Sequence, residues 1–539
     1  MGAKSSKIAR KPAVVEARRI AAEFEVSAED VRNIVKHFVR QMDDGLAKDG
    51  DTMIPSYVSA LPNGTEKGVC LAVDIGGTNC RVCSVELHGD RTFSIKQTKA
   101  SIPQNLRIGS TSASLFSFIA REVEIFLKKH YSSKLQAYKA RGRDSPVVEH
   151  SYDQVDYLPL GFTFSFTFQQ TAIDRGIMAR WDKGFDIPDT IGKDVCALLQ
   201  EEIGKLDMPV RVTALANDTV GTLMARAYTS PSNGSSILGA VFGTGTNGAY
   251  VEKMKNVTTL NASETEEEDM IINTEWGSFD EKLVVLPNTP YDQALDKSNI
   301  HAGEQMFEKR VSGMYLGELF RLALLAISEK PSLGLFKSAS KASIPKKSSL
   351  YKPYGVDTSV MSTIESDDST LLSATRRALE KEFGVPRASL EDAAVAKIIA
   401  QAIGRRAAIL SGAAIAAVII KTGRLKNQAK EVKYLDIGVE GSLVENYPGF
   451  EESIRSALRE VSEIGVAGEK RIRIGLAKDG GGVGAALIAM VAYKQIARVT
   501  GPVQNRLAAE AQKNPEVVHE TDISVAARGV GAGEVAAAA

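Results

Sequence analysis

The segment "LAVDIGGTNCRV", beginning at Leu71, and the segment "LGAVFGTGTNGAYV", beginning at Leu238, follow one plan about 167 residues apart. In each, an apolar run of strand length ends in a Gly/Thr turn that closes on Thr-Asn, and a second run follows. That spacing is too long for a solenoid repeat. It fits two lobes built on the same hairpin, and 539 residues are too many for one small core. In the first segment "VCLAVDI" and "CRVCSVEL" flank the turn, and "HGD" at 88–90 sends the chain into a third strand, "RTFSI". The glycines therefore bend a hairpin; they do not lead from a strand into a helix.

Neither turn has the GxxxxGK[ST] or the strand-to-helix GxGxxG of better-known nucleotide loops. Glycines still let a backbone come close to a phosphate, and Thr and Asn add donors. Two such turns on opposed lobes can clamp a polyphosphate, and Asp74, at the end of its strand, can hold a hydrated Mg²⁺. Taken singly, each turn reads equally well as a tight hairpin bend.

Charge and cysteine content narrow the class. Lys+Arg and Asp+Glu are 66 each, which argues against a general nucleic-acid binder. Cys80 and Cys83 would point to opposite faces of a strand, so with Cys70 and Cys196 they read as buried, reduced thiols of an intracellular protein, with no zinc site. The apolar stretch Ala407–Ile420 is short of the roughly 20 residues that span a bilayer and reads as a buried helix. Leu115, Ile119, Val123 and Phe126 have helical spacing. Residues 131–155 read as an exposed loop.

A second set of motifs is polar. "LGFTFSFTFQQTAIDRGIMARWDKGFDI" carries Ser165, Asp182 and Lys183; "ALANDTVGTLMARAY" closes a strand on Asn217 and Asp218. Then come Asn247, Glu275 in "NTEWGSFD", and Gln305 and Glu308 in "GEQMFEKR". Amides and carboxylates at strand ends suit a polyhydroxyl ligand, because each hydroxyl both donates and accepts. A carboxylate in such a site can also take the proton of an attacking hydroxyl.

These residues, in this order, resemble the hexokinase family, and specifically its fungal glucokinase type, from about residue 20 to about residue 495. The resemblance implies an α/β, actin-like ATPase (ribonuclease H-like) duplicated fold with two lobes around a cleft. It implies transfer of the γ-phosphoryl group of ATP, with Mg²⁺, to the 6-hydroxyl of glucose or a related hexose, with lobe closure excluding water. Asp74, Gly76, Gly77, Thr78, Asn79 and Arg81 match the first phosphate motif, and Gly243, Thr244 and Gly245 the second. Ser165, Asp182, Lys183, Asn217, Asp218, Asn247, Glu275, Gln305 and Glu308 fall on substrate positions. Asp218 is implied as the catalytic base and Lys183 as the cation on the transferring group. Asp74 and Asp218 are implied to reach the metal through water, and Gly313, Thr358, Gly441 and Ser442 to lie near the adenosine. The implied division is a basic tail at 1–19, a helical segment at 20–68 on the large lobe, a small lobe at 69–216 with a helix at 481–500, a large lobe at 217–480 and a disordered tail at 515–539.

Four departures from the family pattern stand out. "WDKGF" places Asp182 where members carry Thr, adding a negative charge beside Lys183. "FSFT" places Thr167 where members carry Pro, "EGS" places Glu440 for Asp, and "DGGG" places Gly481 for Ser. Asp182 and Thr167 touch the sugar loop, so a regulatory, sugar-sensing paralogue with weak or no catalysis is the alternative reading. A kinase for a mannose or amino-sugar derivative is a third.

"MGAKSS" fits the N-myristoylation pattern through Gly2 and Ser6, and Lys4, Lys7, Arg10 and Lys11 supply a basic patch. One acyl chain plus such a patch suffices for reversible attachment to an anionic membrane. A plain basic tail or a weak organelle-targeting segment reads from the same residues. The location expected is cytoplasmic, with attachment to a membrane or mitochondrial surface as its extension; no signal peptide is evident.

Overall fold

Both repeated segments form hairpins. Strand β2 (Lys67–Ile75) pairs antiparallel with β3 (Asn79–His88), with Ile75 opposite Cys80 across the first turn. Strands β9 (Gly234–Phe242) and β10 (Thr246–Lys253) are neighbours across the second. These assignments come from a computed structural model that describes residues 11–140, 157–164, 166–181, 184–231, 234–260, 268–336, 344–426, 433–477 and 479–493. Gly2, Ser6 and Arg10, Ser165, Asp182, Lys183, the tail at 515–539 and residues 141–155 lie outside them.

Each hairpin opens a sheet of the same topology. The first sheet adds β4 (Phe93–Ser101), β5 (Leu158–Phe164) and β8 (Val210–Ala216) in the order β4-β3-β2-β5-β8, with β2, β5 and β8 parallel. The second adds β11 (Asp269–Asn273), β12 (Tyr434–Glu440) and β13 (Ile472–Leu476) in the order β11-β10-β9-β12-β13, with β1 (Ile54–Pro55) on its edge. Counted along the chain, both read third, second, first, fourth, fifth. Three antiparallel strands come first, and parallel strands reached through helices follow, as parallel pairing requires. A helix follows the fifth strand in each case: Asp218–Thr229 after β8, and residues 480–493 after β13. This is the duplicated α/β arrangement the resemblance implies.

The chain divides into two compact units. One consists of the described parts of Met1–Gly45, Ala240–Gly248 and Thr274–Leu476, the other of those of Leu46–Gly239, Ala249–Asn273 and Ala477–Ala539. In the second unit the period-2 alternation of β2 splits its side chains between two cores. Leu71, Val73 and Ile75 pack with Leu115, Ile119, Val123 and Phe126 of the helix Ser112–His130. Cys70 and Ala72 pack with Val220, Leu223 and Met224 of the helix Asp218–Thr229. Strand β5 is buried at all seven positions, as a central parallel strand must be. Cys80 lies in the first core and Cys83 in the second, so the two do face opposite ways. All four thiols are buried and unbridged, and burial pushes Cys83 up to about 12. Ser132–Ala140 is helical, which corrects the loop expected at 131–155. Only Leu135 of that helix is buried, so its side chains carry too little apolar signal to read as a helix.

The first unit is organised around the helix Leu390–Thr422. Ser389 and Asp392 form a capping box at its start, and Gly423, at φ 61°, ends it. Its 33 residues are long and apolar enough to cross a membrane, but 83% of its most apolar window is buried inside the protein. Arg406 in mid-helix forms a bidentate pair with Asp292 at 2.7 Å on each branch and lies 4.7 Å over the Phe24 ring. A guanidinium so paired belongs to a protein core. Helices Pro12–Glu23 and Ala28–Ala47 lie ahead of β2; the first begins inside the tail expected at 1–19, with Ala13, Val14 and Ala17 buried, and the helical part ends at Ala47, before β1, which corrects the bounds of the helical segment expected at 20–68.

Candidate functional site

The first turn is built by ionic contacts. Gly76 N–H donates to Asn79 O at 3.1 Å and closes the hairpin, and Asn79 Nδ2 donates to Thr78 Oγ1 at 2.7 Å. Gly77 lies between them with Thr78 exposed. Asp74 is one residue short of the end of β2 and sits opposite Arg81 in the pairing. Arg81 Nη2 lies 3.2 Å from Asp74 Oδ2 and 2.6 Å from Asp479 Oδ1. Burial alone would lower the pKa of this guanidinium; the two carboxylates outweigh it and raise the value, so the cation is fixed. Asp479, at φ 63°, also accepts from Gly482 N–H at 3.1 Å and caps the turn that follows β13.

Asp479 is a site residue that the motif reading passed over, although "DGGG" was in view. The signal was present: a carboxylate before small residues, just after a strand, is an N-cap pattern. The same pattern does its work at β8. Asn217 follows that strand and caps the helix Asp218–Thr229 by accepting from Thr219 N–H at 2.9 Å. Asp218 takes the first helical position, where the positive end of the helix dipole favours an anion, and it is exposed.

The described residues that flank Ser165, Asp182 and Lys183 form an aromatic cluster. Phe166 lies 4.7 Å from Trp181 and 4.9 Å from Phe185, centroid to centroid, and Trp181 stacks on Phe185 at 5.4 Å. Trp181 Nε1 donates to Ile187 O at 2.9 Å and Thr190 Oγ1 at 2.6 Å. Strands β6 (Thr167–Ala172) and β7 (Arg175–Arg180) pair between the two ends, with Thr167 exposed and opposite Arg180.

In the other unit, backbone and carboxylates converge on the second turn. Gly243 N–H donates to Gly245 O at 3.0 Å, a tighter closure than at Gly76–Asn79, with Thr244 exposed at the tip. Asn247 Nδ2 donates to Glu275 Oε1 at 3.0 Å, and Asn247 Oδ1 accepts from Gly248 N–H at 2.7 Å. Glu275 sits at φ 47° and Gln305 at φ 53°, left-handed backbone that non-glycine residues rarely adopt and that clusters at functional sites. The Glu308 carboxylate lies where a Cβ on Gly277 would meet it at 3.1 Å and a Cβ on Gly245 at 3.5 Å. Asn247, Glu275 and Glu308 are thus gathered around one hairpin end, while Gln305 is held from outside by Glu281 Oε1, which accepts its N–H at 3.2 Å.

The residues implied near the adenosine share this unit. Gly313 N–H donates to Gly243 O at 2.7 Å, and Thr358 Oγ1 donates to Gly313 O at 2.6 Å while accepting from Gly317 N–H at 2.9 Å. Gly441, at φ 115°, follows β12 beside Gly243 and is the N-cap of the short helix Ser442–Asn446. Glu440 closes β12 itself. Gly481 belongs with the first turn: a Cβ there would meet Arg81 Nη2 at 3.4 Å and Asp74 Oδ2 at 3.5 Å, ordinary contact. A Cβ is accommodated there, so the glycine at this position relieves no crowding.

Among the described residues no group of three or more His, Cys, Asp or Glu converges as a metal cage. Asp74, near the end of β2, and Asp218, at the start of the helix that follows β8, are carboxylates that could hold a hydrated Mg²⁺, a hard cation that keeps several waters and binds through one or two carboxylates plus phosphate.

Two hexokinase family models match the chain, over residues 16–228 and 237–491. The chain is 50% identical over 492 residues to the glucokinase of Aspergillus niger, an alignment covering 90% of this chain and 98% of that one. It is 42% identical over 510 residues to glucokinase-1 of Saccharomyces cerevisiae, covering 89% and 98%. Among solved structures it resembles a hexokinase from Schistosoma mansoni complexed with glucose, at TM-score 0.70 and 33% identity over 88% of this chain and 98% of that one. A second hexokinase crystal structure matches at TM-score 0.74 and 25% identity, over 89% and 99%. The duplicated sheets are those of the actin-like fold, and the chain belongs to the hexokinase family.

Proposed function

We propose that this protein transfers the γ-phosphoryl group of ATP to the 6-hydroxyl of glucose. The family brings ATP as co-substrate and a hexose as acceptor; glucose, the 6-position and Mg²⁺ are the finer parts of the proposal. What supports it most is the 50% identity to a glucokinase across nearly the whole chain, together with the retention of Asp218 at an exposed helix start after β8. The relatives named above all carry kinase names, and the proposal is accordingly an active enzyme.

Asp218 accepts the proton of the hexose 6-hydroxyl as the oxygen attacks the γ-phosphorus, and the bond from that phosphorus to the β,γ-bridging oxygen breaks to release ADP. Asn217 fixes the backbone that presents Asp218. Asn247, Glu275, Gln305 and Glu308 orient the sugar through its other hydroxyls, with Ser165 and Lys183 as further contacts. Arg81, 3.2 Å from Asp74 Oδ2, holds that carboxylate in place. When bound, Mg²⁺ neutralises phosphate charge, and Asp74 and Asp218 would hold it through water. Positioning and electrostatics supply most of the rate enhancement in this chemistry.

The test is product identity and kcat/KM for glucose, mannose, fructose and glucosamine with MgATP. Glucose 6-phosphate is the expected product and glucose the preferred sugar. A protein that leaves glucose unphosphorylated, or prefers another hexose tenfold, overturns the proposal. Acylation of Gly2 and a cytoplasmic enzyme held at a membrane surface through Lys4, Lys7, Arg10 and Lys11 form a separate, sequence-based part. Intact mass of the protein from its own cells checks it: without an added fatty-acyl group that part falls.

A further inference from the structure

The geometry points to Lys309 as a positioning residue for hexose binding, one that holds the segment from His301 to Glu308 in its binding shape through Asp296. The inference rests on the assignment of Gln305 and Glu308 as hexose contacts. Lys309 follows Glu308 in a four-residue helix, and its side chain is only 2% exposed. Its ammonium donates to Asp296 Oδ1 and to His301 O, each at 2.6 Å. Asp296 belongs to the helix Pro290–Ser298, and its two carboxylate oxygens accept from Gly303 N–H at 3.1 and 3.3 Å. One ammonium and one carboxylate therefore tie both sides of the loop 299–305 to a helix.

That loop ends at Gln305, whose backbone is left-handed and whose carbonyl accepts from Lys309 N–H at 3.0 Å. A buried ammonium is costly unless each of its donors is met. With the loop in place, Lys309 gains the His301 carbonyl and an Asp296 carboxylate fixed by Gly303. With the loop displaced, it loses the carbonyl, and Asp296 loses the Gly303 amide. The cost of leaving this charge half-satisfied thus favours the loop shape that sets Gln305 and Glu308.

Arg310, the next residue and also 2% exposed, provides the contrast. It donates to Pro287 O at 2.6 Å, Met306 O at 2.7 Å and Asn288 Oδ1 at 3.1 Å. Two of those contacts anchor residues 287–288 and the third reaches Met306, just past the loop 299–305; none ties that loop to the helix Pro290–Ser298, so Arg310→Met serves as the comparator for loss of stability.

Steady-state kinetics of the full chain test the assignment in Lys309→Met, Arg310→Met, Glu308→Gln and the pair Asp296→Asn and Asp296→Ala. In Lys309→Met the KM for glucose is expected to rise about ten- to a hundredfold, with the KM for MgATP within about twofold of wild type. Asp296→Ala is expected to follow it, and Asp296→Asn, which keeps an acceptor for the ammonium, to recover part of the loss. If Lys309→Met lowers the melting temperature as Arg310→Met does but leaves the KM for glucose alone, the assignment is overturned. If Lys309→Met does not fold, the Asp296 pair decides: equal, wild-type KM values for glucose in both overturn it. Glu308→Gln separates the two ideas. A normal KM for glucose there removes the site reading itself, whereas a raised one beside a normal Lys309→Met removes only the role of Lys309.

Discussion

The two Gly/Thr turns begin from the same sequence plan and reach their shapes by different means. The first is held by side-chain charge. Arg81 stands between Asp74 and Asp479, each 18–29% exposed, and a Cβ added to Gly76 would meet nothing within 4 Å. The second is held by close backbone packing. A Cβ on Gly441 would stand 2.5 Å from Phe242 C and O, and one on Gly243 would reach Gly441 Cα at 3.3 Å. A Gly/Thr turn can therefore be kept open by ions that water partly screens, or set by close backbone packing at its glycines. The first solution leaves room for the backbone to meet a ligand; the second fixes one geometry in advance.

Substitution at the glycines breaks this contrast most sharply. Gly441→Ala puts a Cβ into the Phe242 peptide at φ 115° and ψ 155°, a region essentially reserved for glycine. The strain alone costs about 1–3 kcal/mol and the collision adds to it, so the variant is expected to be largely insoluble or to melt far below wild type. A wild-type melting curve for Gly441→Ala would show that the second turn is not set by packing.

The next largest effect concerns the ion pairs. Removing one partner of the buried pair, as in Asp292→Ala, is expected to cost about 3–5 kcal/mol, whereas Arg81→Met, in a partly exposed cluster, is expected to cost about 1 kcal/mol in urea unfolding. Burial alone would raise the pKa of Asp292; the Arg406 charge and its two N–H donors outweigh that and lower it. A carboxyl depressed in the folded state stabilises above its unfolded value of about 3.9 and loses that contribution as pH falls toward the folded value. The urea midpoint of the wild type is expected to drop below about pH 4, and that of Asp292→Ala to drop less over the same range. Parallel curves would remove the pair from the account.

The smallest expected stability change is at the first turn. Gly76→Ala meets open space and has no left-handed backbone to lose, so its melting is expected to stay within about 0.5 kcal/mol of wild type. On the proposed reading of this turn as a phosphate contact, its KM for MgATP is nevertheless expected to rise, because an added methyl group hinders close approach to the backbone. A stability loss as large as that of Gly441→Ala would erase the difference between the turns.

The duplicated plan was legible because hairpins announce themselves locally: alternating or continuous apolar runs, a glycine turn, then a second run. Asn217 and Asp218 were legible for the same reason, as a polar cap at the end of a buried strand. Asp479 offers only a local N-cap pattern in the sequence; its pairing with Arg81, far away in the chain, is made by the fold. Lys309 was equally hidden: a lysine next to a glutamate reads as surface charge until burial and the Asp296 contact are known. The helix Ser132–Ala140 was missed because it buries one apolar residue and so has no periodic face. The apolar run Ala407–Ile420 was read as a buried helix, yet its true extent, Leu390–Thr422, depends on the Ser389 cap and Gly423 stop, which frame a mixed-polarity first half.

The most direct measurement is steady-state phosphorylation of glucose by wild type and Asp218→Ala with saturating MgATP. The account expects wild type to turn over at roughly 1–100 s⁻¹, as kinases do, and Asp218→Ala to fall by roughly 10²–10⁴-fold with its fold intact. A wild type that binds glucose without turning it over, or an Asp218→Ala variant that keeps its rate, would contradict it.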